Sequence, residues 1–155
     1  MNNILVSYFS ASGTTKKVAE NIAMIVNGDL FSIDSVIPYT EADLNWQDKS
    51  SRTTIEMSDK NCRPEIKNKV EDLSKYDKII IGFPVWWYTA PRIINTFIEE
   101  NNLEGKKIYI FVTSGGSSFA GSLKDLKDTY HNLNFVSGKT FNDIVLPKDI
   151  KEWMA

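Results

Sequence analysis

Three short runs break the mixed polar and apolar pattern of the chain: Ile4-Leu5-Val6-Ser7-Tyr8-Phe9, Lys78-Ile79-Ile80-Ile81-Gly82-Phe83 and Ile108-Tyr109-Ile110-Phe111-Val112. They are β-branched or aromatic and nearly continuous rather than alternating. Strands buried on both faces of a parallel sheet read this way. Helical spacing appears between them. Val18, Ile22, Ile25 and Val26 predict a helix after Gly13. Ile66, Val70 and Leu73 predict a second, with Pro64 as its first residue. Ile93, Ile94, Phe97 and Ile98 predict a third beginning at Pro91, and Leu123, Leu126 and Tyr130 a fourth. Ile150 to Trp153 predicts a last turn or two. Leu30 to Ile33 reads as a short second strand and Phe135 to Phe141 as a weaker fifth. Alternating strands and helices imply an α/β fold, with right-handed crossovers and helices on both faces of an open sheet. Five strands fit the doubly wound order 2-1-3-4-5. Ligands of such sheets bind beyond the carboxyl ends of the strands, where the order reverses. The loops after strands 1, 3 and 4 are therefore the expected site.

One segment interrupts the rhythm. Pro38 to Arg63 is polar and long for a strand-to-helix connection. It carries Trp46, Arg52 and Met57, which a plain linker seldom needs. Long connections are often functional, so it reads either as a folded flap near the site or as a structural excursion. Residues 1–155 otherwise read as one domain of common size, with no internal repeat and no low-complexity tract. Hydrophobic residues make up 42% and charged residues 25%, which suits a folded domain with a substantial core.

Charge and cysteine count narrow the possibilities. A formal net charge of -2 argues against a nucleic-acid partner, because phosphate contacts need a basic face. The single cysteine, Cys62, forms no internal disulfide and supports no zinc cluster, which fits a reducing cytoplasm. The opening Met-Asn-Asn has no basic region of the kind that starts a secretory leader, and no apolar stretch approaches membrane-spanning length. His131 has no titratable neighbour in sequence that would suggest catalysis.

The first loop, Ser10-Ala11-Ser12-Gly13-Thr14-Thr15, joins a strand to a helix. A helix start offers free N–H groups and a partial positive charge. Gly13 permits close backbone approach, and four hydroxyls can donate. No lysine lies inside, so this is neither a Gly-Lys-Ser/Thr nucleotide loop nor a G-x-G-x-x-G fingerprint. It is either an anion cradle of neutral donors or a helix cap with spare hydroxyls. The second loop, Gly82 to Pro91, holds Pro84-Val85-Trp86-Trp87-Tyr88. Three adjacent aromatics cannot all enter one core, so at least one is free to stack on a flat ring. Packing on a helix or a subunit interface is the plainer alternative. The third loop, Thr113-Ser114-Gly115-Gly116-Ser117-Ser118-Phe119-Ala120-Gly121, has paired glycines that admit a ligand and a phenylalanine that could form a second ring wall. It could also be a flexible turn with a helix cap. All three loops fall on one predicted edge. A ligand with a phosphate at one end and a flat polar ring at the other explains them together, and flavin mononucleotide (FMN) has that shape.

These motifs carry a resemblance. Ser10 to Thr15 matches the flavodoxin phosphate-loop pattern Ser/Thr-x-Ser/Thr-Gly-x-Thr at every fixed position. The chain resembles the flavodoxin family over nearly its whole length, in particular bacterial members with Pro-x-Trp-Trp and Thr-Ser-Gly-Gly-Ser loops. The resemblance implies a flavodoxin-like fold and FMN as cofactor. Ser10, Ala11, Ser12, Gly13, Thr14 and Thr15 would surround its phosphate. Pro84, Val85, Trp86, Trp87 and Tyr88 would line the isoalloxazine, with Thr113, Ser114, Gly115, Gly116, Ser117 and Phe119 opposite. No catalytic residue and no metal are implied.

A flavodoxin proper carries electrons between a reductase and an acceptor enzyme and works as a monomer. The aromatic loop is also similar to the Pro-x-x-Trp-Phe-x-x-Pro loop of dimeric NAD(P)H:quinone reductases, which perform two-electron reduction. Size and phosphate loop favour the carrier. Tyr88 stands where related loops often have glycine, and a non-glycine residue at positive φ is disfavoured by roughly 1 kcal/mol. The resemblance therefore implies a less stabilised one-electron-reduced form here than in glycine-bearing carriers. A phosphoacceptor receiver domain shares the strand order but needs carboxylates after strands 1 and 3, where this chain has Tyr8-Phe9-Ser10 and Gly82-Phe83-Pro84. A non-redox binding module is the remaining alternative.

Overall fold

A computed structural model describes residues 3–114, 116–142 and 144–155. Five strands, β1 (Ile4–Tyr8), β2 (Asp29–Ser32), β3 (Lys78–Pro84), β4 (Lys107–Thr113) and β5 (Asn134–Thr140), form one parallel sheet in the order β2-β1-β3-β4-β5. Among the described residues, five α-helices accompany them: α1 (Thr14–Val26), α2 (Arg52–Ser58), α3 (Arg92–Glu100), α4 (Ala120–Thr129) and α5 (Pro147–Trp153). This is the expected doubly wound, flavodoxin-like arrangement.

The near-continuous apolar runs are explained by two cores. Leu5, Ile79, Ile81, Ile108, Ile110 and Val112 point to one face, where they meet Ile93, Ile94, Phe97 and Ile98 of α3 and Leu126 of α4. Val6, Ile80, Tyr109 and Phe111 point to the other, against Val18, Ala19 and Ile22 of α1 and Ile150 and Trp153 of α5. Each strand alternates its faces, yet both faces are covered, so alternation does not show in the sequence. Full burial of a side chain such as Ile22 or Ile80 contributes about 1.5–3 kcal/mol. Gly82 has its own packing reason: a Cβ there would lie 2.0 Å from the Phe111 ring, on the paired strand.

One expected element is absent. Pro64 to Leu73 does not form a helix. Its backbone instead runs antiparallel past the end of β2, with an isolated bridge between Ser35 and Ile66. Lys67 N–H donates to Asp34 O at 2.7 Å, Val36 N–H to Glu65 O at 2.9 Å, and the Asn68 amide to Ser32 O at 2.6 Å. These bonds to a strand distant in sequence take the donors a helix would use. Ile66, Val70 and Leu73 still pack on the α3/α4 core. Only Leu73–Lys75 makes a single 3-10 turn.

The helix lies instead within the Pro38 to Arg63 excursion. Ser51 caps α2 by accepting from Thr54 N–H. The buried Arg92 guanidinium donates to the carbonyls of Glu56, Met57 and Asp59 at the other end of α2. Arg52 donates to Ile37 O at 2.7 Å and pairs with Glu56 at 2.9 Å. The excursion is thus a folded unit tied to the first residue of α3. No helix among the described residues is long and apolar enough to cross a membrane.

Candidate functional site

Loop 1 leaves β1 and turns into α1 through Gly13, whose φ of 98° is left-handed. Gly13 is the N-cap, and no side chain caps the helix. The Ser10 hydroxyl instead accepts from Gly13 N–H at 3.1 Å. Nothing lies within 4 Å of the position a Gly13 Cβ would take. The alternative of a cap with spare hydroxyls therefore does not describe this loop. The start of a 13-residue helix opens onto free space, where N–H groups and the helix dipole favour an anion. Ser12 and Thr14 are exposed beside it. Thr15 is buried at 2% exposure, and its hydroxyl is hydrogen-bonded to Thr113 Oγ1 at 2.8 Å. Ala11 packs partly against the core.

Loop 2 divides its aromatics. Trp86 turns inward and meets Phe9 and Tyr39 edge-on at 5.6 and 5.5 Å between ring centres, while Phe9 and Tyr39 are 5.4 Å apart. Tyr39 comes from the excursion. Its ring lies under the Arg52 guanidinium, and its hydroxyl donates to Glu56 at 2.6 Å. Burial, reinforced by the Glu56 hydrogen bond, pushes the Tyr39 phenol well above its ordinary range, so it remains a neutral donor. Trp87 and Tyr88 turn outward, at 41% and 75% exposure. Trp86 and Thr89 exchange two backbone hydrogen bonds of 3.0 Å, which closes a two-residue hairpin around Trp87 and Tyr88. Both residues are left-handed, with φ of 50° and 64°. Such turns prefer Asn-Gly, and each non-glycine residue there costs roughly 1–2 kcal/mol. The position where the sequence argued against positive φ adopts it, as does its neighbour. Pro84 and Val85 precede the turn, and Val85 N–H donates to Thr113 O at 3.1 Å.

Loop 3 is organised by Ser114. Its hydroxyl accepts from the N–H groups of Gly116 and Ser117 at 3.2 and 2.7 Å. Its own N–H donates to Asn142 Oδ1 at 2.7 Å. Gly116 has open space where a Cβ would stand. Gly115 lies outside the described residues. The Phe119 ring covers Gly138 of β5, where a Cβ would be 2.6 Å from it, and packs on the core.

A cavity of about 400 Å³ opens where the loops meet, lined by Ser12, Thr14, Pro84, Val85, Thr113, Ser114 and Asn142. These residues are uncharged and offer hydroxyl, amide and backbone donors. Thr14 and Asn142 also line a neighbouring cavity of about 430 Å³ with Lys17, Val18, Asn21 and Ile144. Residues from all three predicted loops therefore converge, whereas Trp86, Phe119 and Thr15 face inward as supports. Asn142 and Tyr39 were not anticipated. Asn142 follows β5, a fourth loop on the same edge, so the topological rule alone could have found it. Nothing local marks Tyr39. Cys62 stands apart from these loops, half-buried beside Arg63 and Pro64, and burial raises its thiol, which keeps it protonated.

Comparison with known proteins agrees with this geometry. The chain is similar to a candidate flavoprotein from Bacteroides eggerthii DSM 20697, with 49% identity and a TM-score of 0.96 over 99% of this chain and 96% of that one. A second candidate flavoprotein, from Bacteroides uniformis ATCC 8492, shares 44% identity with a TM-score of 0.92 over 99% and 97% of the two chains. A flavoprotein from Lactobacillus acidophilus NCFM, solved in complex with FMN, shares the fold at 24% identity and a TM-score of 0.77 over 100% of both chains. A local match, 32% identical over 41 residues, links 26% of this chain to 21% of YcaK, an uncharacterised NAD(P)H oxidoreductase of Escherichia coli K12. The family model for flavodoxins matches residues 3–155, and the chain belongs to the flavodoxin family.

Proposed function

We propose that this chain binds FMN across its three loops and carries electrons between a reductase and an acceptor enzyme in the cytoplasm, as a single 155-residue domain. One observation carries the reading: an uncapped helix start with open space above Gly13 adjoins a cavity shared by all three loops. A phosphomonoester suits that start, because neutral hydroxyls and helix amides satisfy it without a cation. Ser10, Ser12, Gly13, Thr14 and the backbone around them would hold the phosphate. Thr15 would act through Thr113, fixing loop 1 to loop 3. Pro84 to Tyr88 and Thr113 to Ser117 would flank the ring, with the exposed Trp87 and Tyr88 as its outer wall and the partly buried Trp86 as their anchor. Bound flavin supplies one- or two-electron redox chemistry, and the protein supplies binding, orientation and shielding from water.

The local likeness to an NAD(P)H oxidoreductase favours a second reading, an FMN-dependent NAD(P)H:quinone-type oxidoreductase. Anaerobic titration of the FMN-loaded protein separates the two. The carrier is reduced by dithionite and by a ferredoxin reductase but not by NADPH alone. Rapid bleaching by NADPH alone would establish the oxidoreductase instead. A colourless protein after incubation with FMN and gel filtration would sink both readings.

A further inference from the structure

Gly121 occupies the first turn of α4, and its backbone is not left-handed. Glycine weakens a helix, so a helical glycine with ordinary φ points to a lack of room. A Cβ at Gly121 would lie 2.6 Å from the carbonyl oxygen of Tyr88 and 3.7 Å from its carbonyl carbon. The contact is with backbone, which has little freedom to yield.

The geometry of the hairpin explains why that oxygen is there. Thr89 N–H points across the turn to Trp86 O. In a planar trans peptide the carbonyl points opposite to the N–H. The Tyr88 carbonyl therefore points out of the turn, and it meets the first turn of α4. The partial positive charge of a helix start favours a carbonyl oxygen in that place. Trp87 and Tyr88 are both left-handed without being glycine, and strain of this kind persists only where the surroundings over-determine it.

We propose that Gly121 is a positioning residue for the ligand wall: the missing side chain lets the Tyr88 carbonyl seat on α4, and this contact holds Trp87 and Tyr88 in their left-handed turn before any ligand arrives. The effect on the ligand rests on the FMN reading above, whereas the effect on the turn does not. Gly121 touches no reacting atom and acts through Tyr88.

The test uses Gly121→Ala, Tyr88→Gly and the double variant in the full chain, with FMN as probe. Amide exchange of Thr89 is measured first, in protein without flavin. It is expected to quicken about tenfold in Gly121→Ala while Leu126, deeper in α4, stays protected. FMN affinity is expected to weaken about tenfold in the same variant, and the visible flavin spectrum to shift. Glycine at position 88 can follow the displaced carbonyl, so Gly121→Ala is expected to have little effect in the Tyr88→Gly background. A purely structural role of Gly121 would give the same loss in both backgrounds, and that result would overturn the proposal. Unchanged Thr89 exchange in Gly121→Ala would overturn it too. Should that variant fail to fold, recovery of folding in the double variant supports the coupling and continued failure refutes it. Failure of the unaltered protein to retain FMN would defeat the flavin reading alone, and Thr89 exchange would still decide the role of Gly121.

Discussion

Thr14 and Thr15 are neighbours in sequence with opposite roles in the structure. Thr14 is exposed and lines the cavity, whereas the Thr15 hydroxyl is buried against that of Thr113. Thr14→Val is therefore expected to weaken FMN binding about tenfold, as loss of one hydrogen bond to a charged group does, and to leave folding unchanged. Thr15→Val strands the buried Thr113 hydroxyl and is expected to cost about 1–3 kcal/mol in urea unfolding. The motif Ser-x-Ser-Gly-x-Thr was legible as a unit, but which hydroxyl faces outward depends on a strand 98 positions away. Asn142 was hidden for the same reason, since it serves Ser114 from 28 positions further along. Tyr76 shows how one phenol shapes the alkaline limb of stability. Burial and its hydrogen bond to Asp29 push it from 10.0 up to about 12. The folded state holds this proton more tightly than the unfolded chain. Its contribution is full below pH 10 and declines as pH rises towards about 12. Tyr76→Phe is expected to reduce the fall in stability across that window, measured by urea unfolding at stepped pH.

β1, β3 and β4 were legible because each is a β-branched or aromatic run with both faces covered, whereas β2 and β5, at the edges of the sheet and far less buried, showed only as a short and a weaker run. Four of the helices were legible from their apolar stripes: α1, α3, α4 and α5. The fifth was not. α2 has seven residues, Arg-Thr-Thr-Ile-Glu-Met-Ser, with too many β-branched and polar side chains to announce a helix. What holds it is tertiary: Arg92 reaches across to the carbonyls at its end. Conversely, Ile66, Val70 and Leu73 carry a helical stripe that the pairing with Ser35 overrides. Arg92→Met removes several charge-assisted bonds and is expected to cost about 2–3 kcal/mol, with faster proteolytic cleavage between residues 38 and 63. Because Tyr39 of that segment packs on Trp86, the same variant is expected to loosen loop 2. The excursion's length and its Trp46, Arg52 and Met57 marked it in sequence as a flap or a structural excursion; the contacts that tie it to the site, between residues distant in sequence, were not visible there.

For the whole molecule, the proposed ligand bridges loops from β1, β3 and β4, so binding and folding are linked. FMN at about 100 times its dissociation constant is expected to stabilise the protein by about 2.7 kcal/mol. For a domain of this size that raises Tm by roughly 5–10 °C, and stripping the flavin reverses it; a thermal melt with and without FMN measures both. The sheet has a further property that belongs to its rim. β5 pairs Ile108 with Phe135 and Tyr109 with Ser137, so Val136 is one residue too many. An extra residue bends and over-twists an edge strand. A strand from a neighbouring copy, laid along β5, would meet amides that fall out of phase after the bulge. Flat, regular edges are the ones that template fibrous growth. The misfit at Val136 thus acts as a stop at the end of the sheet, one that keeps neighbouring copies from growing into one another.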